Sequence, residues 1–176
     1  LKERGIGIPD LVTSDAHEGL RAALRATVNS SPWQRCQFHL QQNAQAYVPT
    51  KELKQKAAED IRRIFNAEDR AHAEEKLSAF VAEYSTKAPQ LAAWAEANLP
   101  EGFTVFSFPE AARKRLRTSN MCETLNSQIK RRTRVVVLFP CESSLLRLVT
   151  AVLIEISEEW ETGKVYLQIA ETKPTR

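Results

Sequence analysis

Apolar residues recur at helical spacing through residues 51–99, and no other feature limits the possible folds so strongly. Leu53, Ala57, Ile61, Ile64 and Phe65 fall on one helix face, and Leu77, Phe80, Val81 and Tyr84 fall on another. A third helix is predicted from Pro89, with Leu91, Ala95 and Leu99 inward. The proline occupies the first turn, where a missing N–H leaves nothing unsatisfied. The eight Lys or Arg of this stretch meet nine Asp or Glu, so its charged faces are balanced and solvated. Residues 41–110 therefore read as an all-helical subdomain.

The preceding residues follow a different period. Leu11-Val12-Thr13 is β-prone and ends at Ser14-Asp15. A helix is predicted next, with Leu20, Ala23, Leu24 and Thr27 or Val28 on one face, Arg21 and Arg25 on the other, and Ser30-Ser31-Pro32 as its end. Trp33-Gln34-Arg35-Cys36-Gln37-Phe38 alternates apolar and polar side chains and reads as a second strand. Strand, helix and strand at this spacing predict a parallel βαβ unit over residues 1–40. The expected fold class is α/β, mostly helical, with a helical insertion interrupting the α/β core.

Net charge informs only when mapped along the chain. The 176 residues carry +3, yet residues 111–134 hold Arg113, Lys114, Arg115, Arg117, Lys130, Arg131, Arg132 and Arg134 against a single acid, Glu123. The two basic clusters flank a helix predicted to start at Ser119 or Asn120, with Cys122, Leu125 and Ile129 as its apolar stripe. The apolar run 135–139 is expected to be buried and to end at Pro140, closing a segment over 111–140. A last helix from Glu142 to Glu161, within a segment over 141–176, is expected to pack on the core. It would turn Leu145, Leu146, Val149, Val152, Leu153, Ile156 and Trp160 inward and stop near Gly163.

Two carboxylates are the candidates for chemistry. Asp15 lies where a strand gives way to a helix, the rim of an α/β sheet where ligands bind. Asp15-Ala16-His17-Glu18 equally fits a capping box, and so does Asn120-Met121-Cys122-Glu123. Glu123 inside a cationic segment fits an ion-pairing partner, or a metal ligand in a site where cations hold a polyanion. Cys36 and His39 have the C-x-x-H spacing of half a zinc site, but Cys122, Cys141, His17 and His72 are scattered singles. A buried thiol on a strand is the ordinary reading. Five glycines supply no Gly-rich phosphate loop, and no serine nucleophile elbow occurs. Three cysteines at long, unequal spacings form no disulfide framework, and no apolar stretch approaches the roughly 18 to 20 residues of a membrane span. A cytoplasmic setting is expected.

Several motifs together carry a family resemblance. They are Leu11-Val12-Thr13-Ser14-Asp15-Ala16-His17-Glu18-Gly19-Leu20, then Trp33-Gln34-Arg35-Cys36-Gln37-Phe38-His39. The third is Thr118-Ser119-Asn120-Met121-Cys122-Glu123-Thr124-Leu125-Asn126-Ser127-Gln128-Ile129-Lys130-Arg131-Arg132-Thr133-Arg134-Val135-Val136, with Phe139-Pro140 after it. In this order they resemble the Mutator-type transposases of bacterial insertion sequences, over nearly the whole chain.

The resemblance implies a DDE transposase with an RNase H-like core that a helical insertion interrupts. It places the second catalytic Asp at Asp15 and the catalytic Glu at Glu123, together holding Mg²⁺ or Mn²⁺ in a two-metal site when the triad is complete. Cys36 and His39 match a family signature to which no role is attached. Transposon terminal repeats and target DNA are the implied partners, contacted by Arg113, Lys114, Arg115, Arg117, Asn126, Lys130, Arg131, Arg132 and Arg134. A homo-oligomer in the bacterial cytoplasm, associated with the nucleoid, is also implied.

One departure has consequences. The family's first catalytic Asp belongs on a strand well upstream of Asp15, and fourteen residues precede Asp15 here. Asp10 alone is available, after Pro9 and in the wrong place. The expectation is a C-terminal part of a transposase, unable to catalyse transposition by itself. The alternatives are a non-catalytic DNA-binding remnant and a subunit-interaction remnant.

Overall fold

The long helical pattern folds as its spacing predicts. In the computed structural model, which describes residue 5, residues 7–136 and residues 138–163, helices follow at Lys51–Phe65, Arg70–Lys87 and Pro89–Asn98. Thr50 caps the first, its hydroxyl accepting from Leu53 N–H, and the Asp69 carboxylate caps the second by accepting from His72 N–H at 2.8 Å. Pro89 opens the third. Ala57, Ile61, Ile64, Leu77, Phe80, Tyr84, Leu91, Ala95 and Leu99 form one buried cluster with Leu40, Phe65 and Phe103. Tyr84 is fully buried, and its hydroxyl donates to Asp60 Oδ2 at 2.9 Å. Burial first, and the Asp60 bond second, push this phenol well above its ordinary range, so it stays a donor.

In chain order the elements are β1 (Val12–Ser14), α1 (Glu18–Thr27), β2 (Trp33–Arg35), α2 (Gln37–Ala44), α3 (Lys51–Phe65), α4 (Arg70–Lys87), α5 (Pro89–Asn98), α6 (Glu110–Leu116), α7 (Asn120–Thr133) and α8 (Glu142–Thr162). Short 3₁₀ turns lie at Gln45–Tyr47, Leu99–Gly102 and Thr104–Ser107. The architecture is mostly helical with one two-stranded parallel sheet, in which Val12, Thr13 and Ser14 pair with Trp33, Gln34 and Arg35. The chain divides between Thr118 and Ser119 into two compact units. No helix among the described residues is long and apolar enough to cross a membrane.

In the first unit the second strand is shorter than its alternation suggested. The ladder ends where Cys36 N–H donates to Ser14 O, and Cys36 becomes the N-cap of α2. Residues 37–44 instead bury Gln37, Leu40 and Ala44, a helical spacing that a three-residue alternation had masked. Cys36 is fully buried as expected, but on a helix cap rather than a strand.

Helix α1 also differs from expectation. None of its residues is buried, Leu20 is exposed, and Arg21 and Arg25 line a groove with Leu24 and Val28 instead of facing away from them. Neither capping box forms. The N-cap of α1 is His17, while the Asp15 carboxylate accepts from Ala16 N–H at 2.7 Å. Helix α7 starts at Asn120, as one of the two predicted positions, with Ser119 as N-cap.

The second unit pairs α7 with α8, which runs to Thr162 and is capped by Gly163. Only Val152 is buried along α8, and Leu145, Val149 and Ile156 are partly covered. Leu146, Leu153 and Trp160 were expected inward but are exposed, because covering by α7 protects a single stripe. On α7 itself Cys122 is exposed, while Leu125 and Ile129 are half-buried. The described residues of the run 135–139 are not buried: Val135 is 81% and Leu138 84% exposed. Val135, Val136, Leu138 and Phe139 lie in the connection between α7 and α8. Val137 and residues 164–176, which also carried expectations, lie outside the described residues.

Buried amides tie the small sheet to the helical cluster. Gln34 is fully buried, its Oε1 accepting from Val105 N–H at 2.7 Å and its Nε2 donating to Arg35 O at 2.7 Å. A Gln34→Leu substitution leaves the buried Val105 N–H unpaired. It should lower unfolding free energy by about 1–3 kcal/mol, read by urea denaturation. An unchanged midpoint would remove this bond from the account.

Candidate functional site

Asp15 follows the last residue of β1, at the carboxyl end of the parallel pair, and is exposed. Three bonds hold the backbone that carries it. Ser14 Oγ donates to Asp15 O at 2.8 Å, Trp33 Nε1 donates to Ser14 Oγ at 2.9 Å, and Cys36 N–H donates to Ser14 O at 2.8 Å. Deeper in β1, Thr13 Oγ1 donates to Leu116 O at 2.6 Å. The strand end is fixed on several sides while one carboxylate oxygen is turned to its own loop.

Glu123 lies in the first turn of α7, in the second unit. Its Oε1 accepts from Ser119 Oγ at 2.8 Å, a contact between the cap residue and the side chain one turn later. Glu123, Asn126, Ser127, Lys130, Arg131 and Arg134 line one open groove of about 620 Å³. Their spacing of three and four residues is that of a single helix face. From Glu123 to Arg134 that face extends roughly 16 Å at about 1.5 Å per residue. A carboxylate at the N-terminal end and cations at the C-terminal end also suit the helix dipole.

Three other cations of the basic stretch have partners within the protein. Arg113, on α6 in the first unit, donates through Nε to Phe108 O at 2.8 Å and through its Nη atoms to Glu68 O and to Phe106 O. Its guanidinium also lies 5.6 Å from the centre of the Phe106 ring. Arg117 Nη1 donates to Asn66 Oδ1 at 2.7 Å, and its carbonyl accepts from Gln37 N–H. These two, with Lys114, line a cleft of about 330 Å³ that includes Phe65, Phe106 and Glu110. Lys114 and Arg115 are exposed on α6. In the second unit Arg132 turns to α8, where its Nη atoms pair with both oxygens of Glu155, one at 2.9 Å. That pairing holds the Glu155 carboxyl below its usual range and raises Arg132 above its own.

Side-chain chemistry fits a hard divalent cation better than a soft one. Asp15 and Glu123 offer carboxylate oxygens, the donors that Mg²⁺ and Mn²⁺ take. Asp15 Oδ1 is committed to Ala16 N–H, and its second oxygen receives no hydrogen bond among the described residues. Cys36 is buried and His39 stacks edge-on with Phe38 at 5.5 Å. Among the described residues, no group of three or more His, Cys, Asp or Glu is placed to hold a metal.

Glu101 is not singled out by the sequence, and Arg21, Trp33, Gln34 and Arg35 are placed there only on a helix, a strand or a motif, with no partners assigned. Arg35 and Gln34 are buried polar side chains on a strand, and nothing in residue type or spacing separates them from exposed ones. Arg113→Ala removes a fork that satisfies three backbone carbonyls. It should destabilise the first unit by about 1–3 kcal/mol in urea denaturation. Arg113→Lys should not restore the loss, because an ammonium cannot reproduce the fork. Full recovery with lysine would mean that charge alone matters there.

Comparisons with known proteins identify the family. A family profile described as "Transposase, Mutator family" matches residues 1–163. The transposase for insertion sequence element IS406 of Burkholderia multivorans is 51% identical over 167 residues, which are 95% of this chain and 43% of that protein. The transposase for insertion sequence element ISRM5 of Rhizobium meliloti is 36% identical, over 96% of this chain and 42% of its own length. The transposase for insertion sequence element IS256 in transposon Tn4001 of Staphylococcus aureus is 34% identical, over 91% of this chain and 41% of its length. The chain thus spans 41–43% of the length of these relatives.

Proposed function

The chain belongs to the Mutator family of transposases, and from that premise we propose that it carries part of a metal-dependent DNA strand-transfer site. In this reading residues 1–40 and 111–140 belong to an RNase H-like core, and residues 41–110 are the helical insertion. Asp15 and Glu123 are the metal ligands, and DNA is the partner. A homo-oligomer acting on the nucleoid is part of the same reading.

One observation carries it most: Glu123 shares its helix face with Asn126, Lys130, Arg131 and Arg134. A lone carboxylate at one end of a cationic face suits a site where a phosphodiester is gripped and processed. Divalent ions held by the carboxylates would supply charge neutralisation at the transferring phosphoryl group and activation of water or a DNA 3′-OH. The protein's own residues supply the rest. Ser119 orients Glu123, and the Ala16 N–H holds one oxygen of Asp15 so that the other is presented outward. Lys130, Arg131 and Arg134 grip successive phosphates, and Asn126 donates to the same backbone. Arg132 and Arg113 hold the protein together and do not touch DNA.

This sorting of cations is testable by salt dependence. Each of Lys130→Ala, Arg131→Ala and Arg134→Ala should flatten the slope of log affinity for duplex DNA against log salt by about 0.9. Arg132→Ala should leave that slope at the wild-type value. Equal effects from all four would refute the sorting.

Glu123 is proposed to hold a divalent ion at the place where the phosphodiester is processed. A Mg²⁺-dependent nicking assay on transposon ends decides the matter. Cleavage abolished by Glu123→Gln would establish Glu123 as catalytic, and cleavage that survives the substitution would refute the proposed role.

A second reading, a subunit-interaction remnant, draws support from the exposed apolar side chains of the second unit, Val135, Leu138, Leu146, Ile154 and Trp160. Co-purification with an intact transposase at high salt, without DNA binding, would favour it.

A further inference from the structure

Glu101 stands in the 3₁₀ turn after α5, far in sequence from Asp15, and its carboxylate bridges two arginines of the sheet region. Oε1 accepts from Arg21 Nη1 at 3.3 Å and Oε2 accepts from Arg35 Nη1 at 2.9 Å. Arg35 Nη1 also donates to Asn98 Oδ1 at 3.0 Å, and Asn98 is itself anchored by donating to Trp94 O at 2.8 Å. The Arg35 side chain is 9% exposed, and its Nε has no partner among the described residues. A buried guanidinium in this position depends on the Glu101 charge, because removing one partner of a buried pair leaves the other uncompensated.

From Arg21 the contacts continue toward the site. Its guanidinium lies 4.5 Å from the centre of the Trp33 ring, a cation–π stack that pins the indole. The indole N–H donates to Ser14 Oγ, and Ser14 Oγ donates to the carbonyl of Asp15. Every member of this relay lies in the first unit.

We infer that Glu101 is a positioning residue for Asp15: one carboxylate from the helical subdomain holds Arg21 and Arg35 together, and through the Arg21–Trp33 stack and Ser14 it fixes the loop that presents the Asp15 carboxylate. The inference rests on the proposed reading of Asp15 as a metal ligand for its functional meaning, but not for its geometry. With Glu101 neutral, two guanidiniums face each other without an anion. Arg21, the more exposed of the two, turns to solvent and leaves the indole, and Trp33 no longer holds Ser14.

The test uses the full chain. Glu101→Gln keeps the shape and removes the charge. Amide hydrogen exchange at residues 14–17 should accelerate about tenfold or more, while α3, α4 and α5 exchange as in the wild type. In a Trp94→Phe, Trp160→Phe background, Trp33 is the sole tryptophan, and acrylamide should quench it more readily once Glu101 is neutral. Arg21→Gln leaves the Arg35–Glu101 pair intact but breaks the relay, so it should loosen residues 14–17 equally even if Glu101→Gln folds poorly. Unchanged exchange and unchanged quenching in either folded variant would overturn the inference. Mn²⁺ broadening of the NMR signals of residues 14–17, lost in Asp15→Asn, tests the metal reading on its own. Its absence would sink that reading and leave the exchange result to decide the positioning role.

Discussion

Two short parallel strands do not bury enough of themselves to persist in water, and everything around Asp15 depends on what closes them off. In this protein much of the closure comes from residues 98–105, at the edge of the helical cluster, beside the bonds that Thr13 and Gln37 make to Leu116 O and Arg117 O. Gln34 takes the Val105 N–H, Gln37 donates to Gly102 O at 2.8 Å, Thr104 Oγ1 donates to Trp33 O at 2.7 Å, and Glu101 holds Arg35. These are polar contacts in a largely buried place, where an unmet donor costs more than a met one gains. They therefore fix register as well as supplying attraction. Gly102 belongs to the same closure: a Cβ there would lie 2.8 Å from the Leu40 side chain and 2.9 Å from the Phe65 ring, so one of these side chains or the turn itself would have to shift.

The helical cluster is thereby more than an inserted ballast. Its core is apolar and self-sufficient, with aromatic pairs such as Phe80–Tyr84 and Phe65–Phe103 filling it. Its outer edge, however, is the wall against which β2 and α2 are built, since Leu40 and Ala44 are members of the same buried cluster. A change in the packing of α5 has a short mechanical path to the strand ends. That path runs through charged and aromatic groups whose geometry is set by a single acid.

How much of this was legible in the sequence follows from the length of each signal. Helices α3 to α5 were readable because each repeats its apolar pattern over several turns, and the strand–helix–strand order was readable from turn residues between short β-prone runs. Residues 36–38 were misread because three alternating positions cannot tell a strand from the first turn of a helix. The apolar run 135–139 was misread for a similar reason: composition marks a segment as apolar but does not say that a layer exists to cover it. In the site, the carboxylates Asp15 and Glu123 stood out by position and by charge contrast. Glu101 did not, because an acid among helical acids and bases has no local pattern, and its partners lie 66 and 80 residues away.

The basic stretch shows why a charge count underdetermines function. By residue type Arg113, Arg131 and Arg132 are the same, yet one satisfies backbone carbonyls, one opens onto a groove with Glu123, and one is paired to Glu155 across two helices. The difference comes from helix phase. On α7, positions three and four apart from Glu123 stay on its face, and the position that falls between them, Arg132, is turned to α8. An adjacent pair of arginines is thus divided between assembly and exposure by about 100° of helical rotation. Whatever polyanion meets α7 sees fewer cations than the sequence contains, arranged in a row with a carboxylate at its end. That order of charges, more than their number, gives the face a direction.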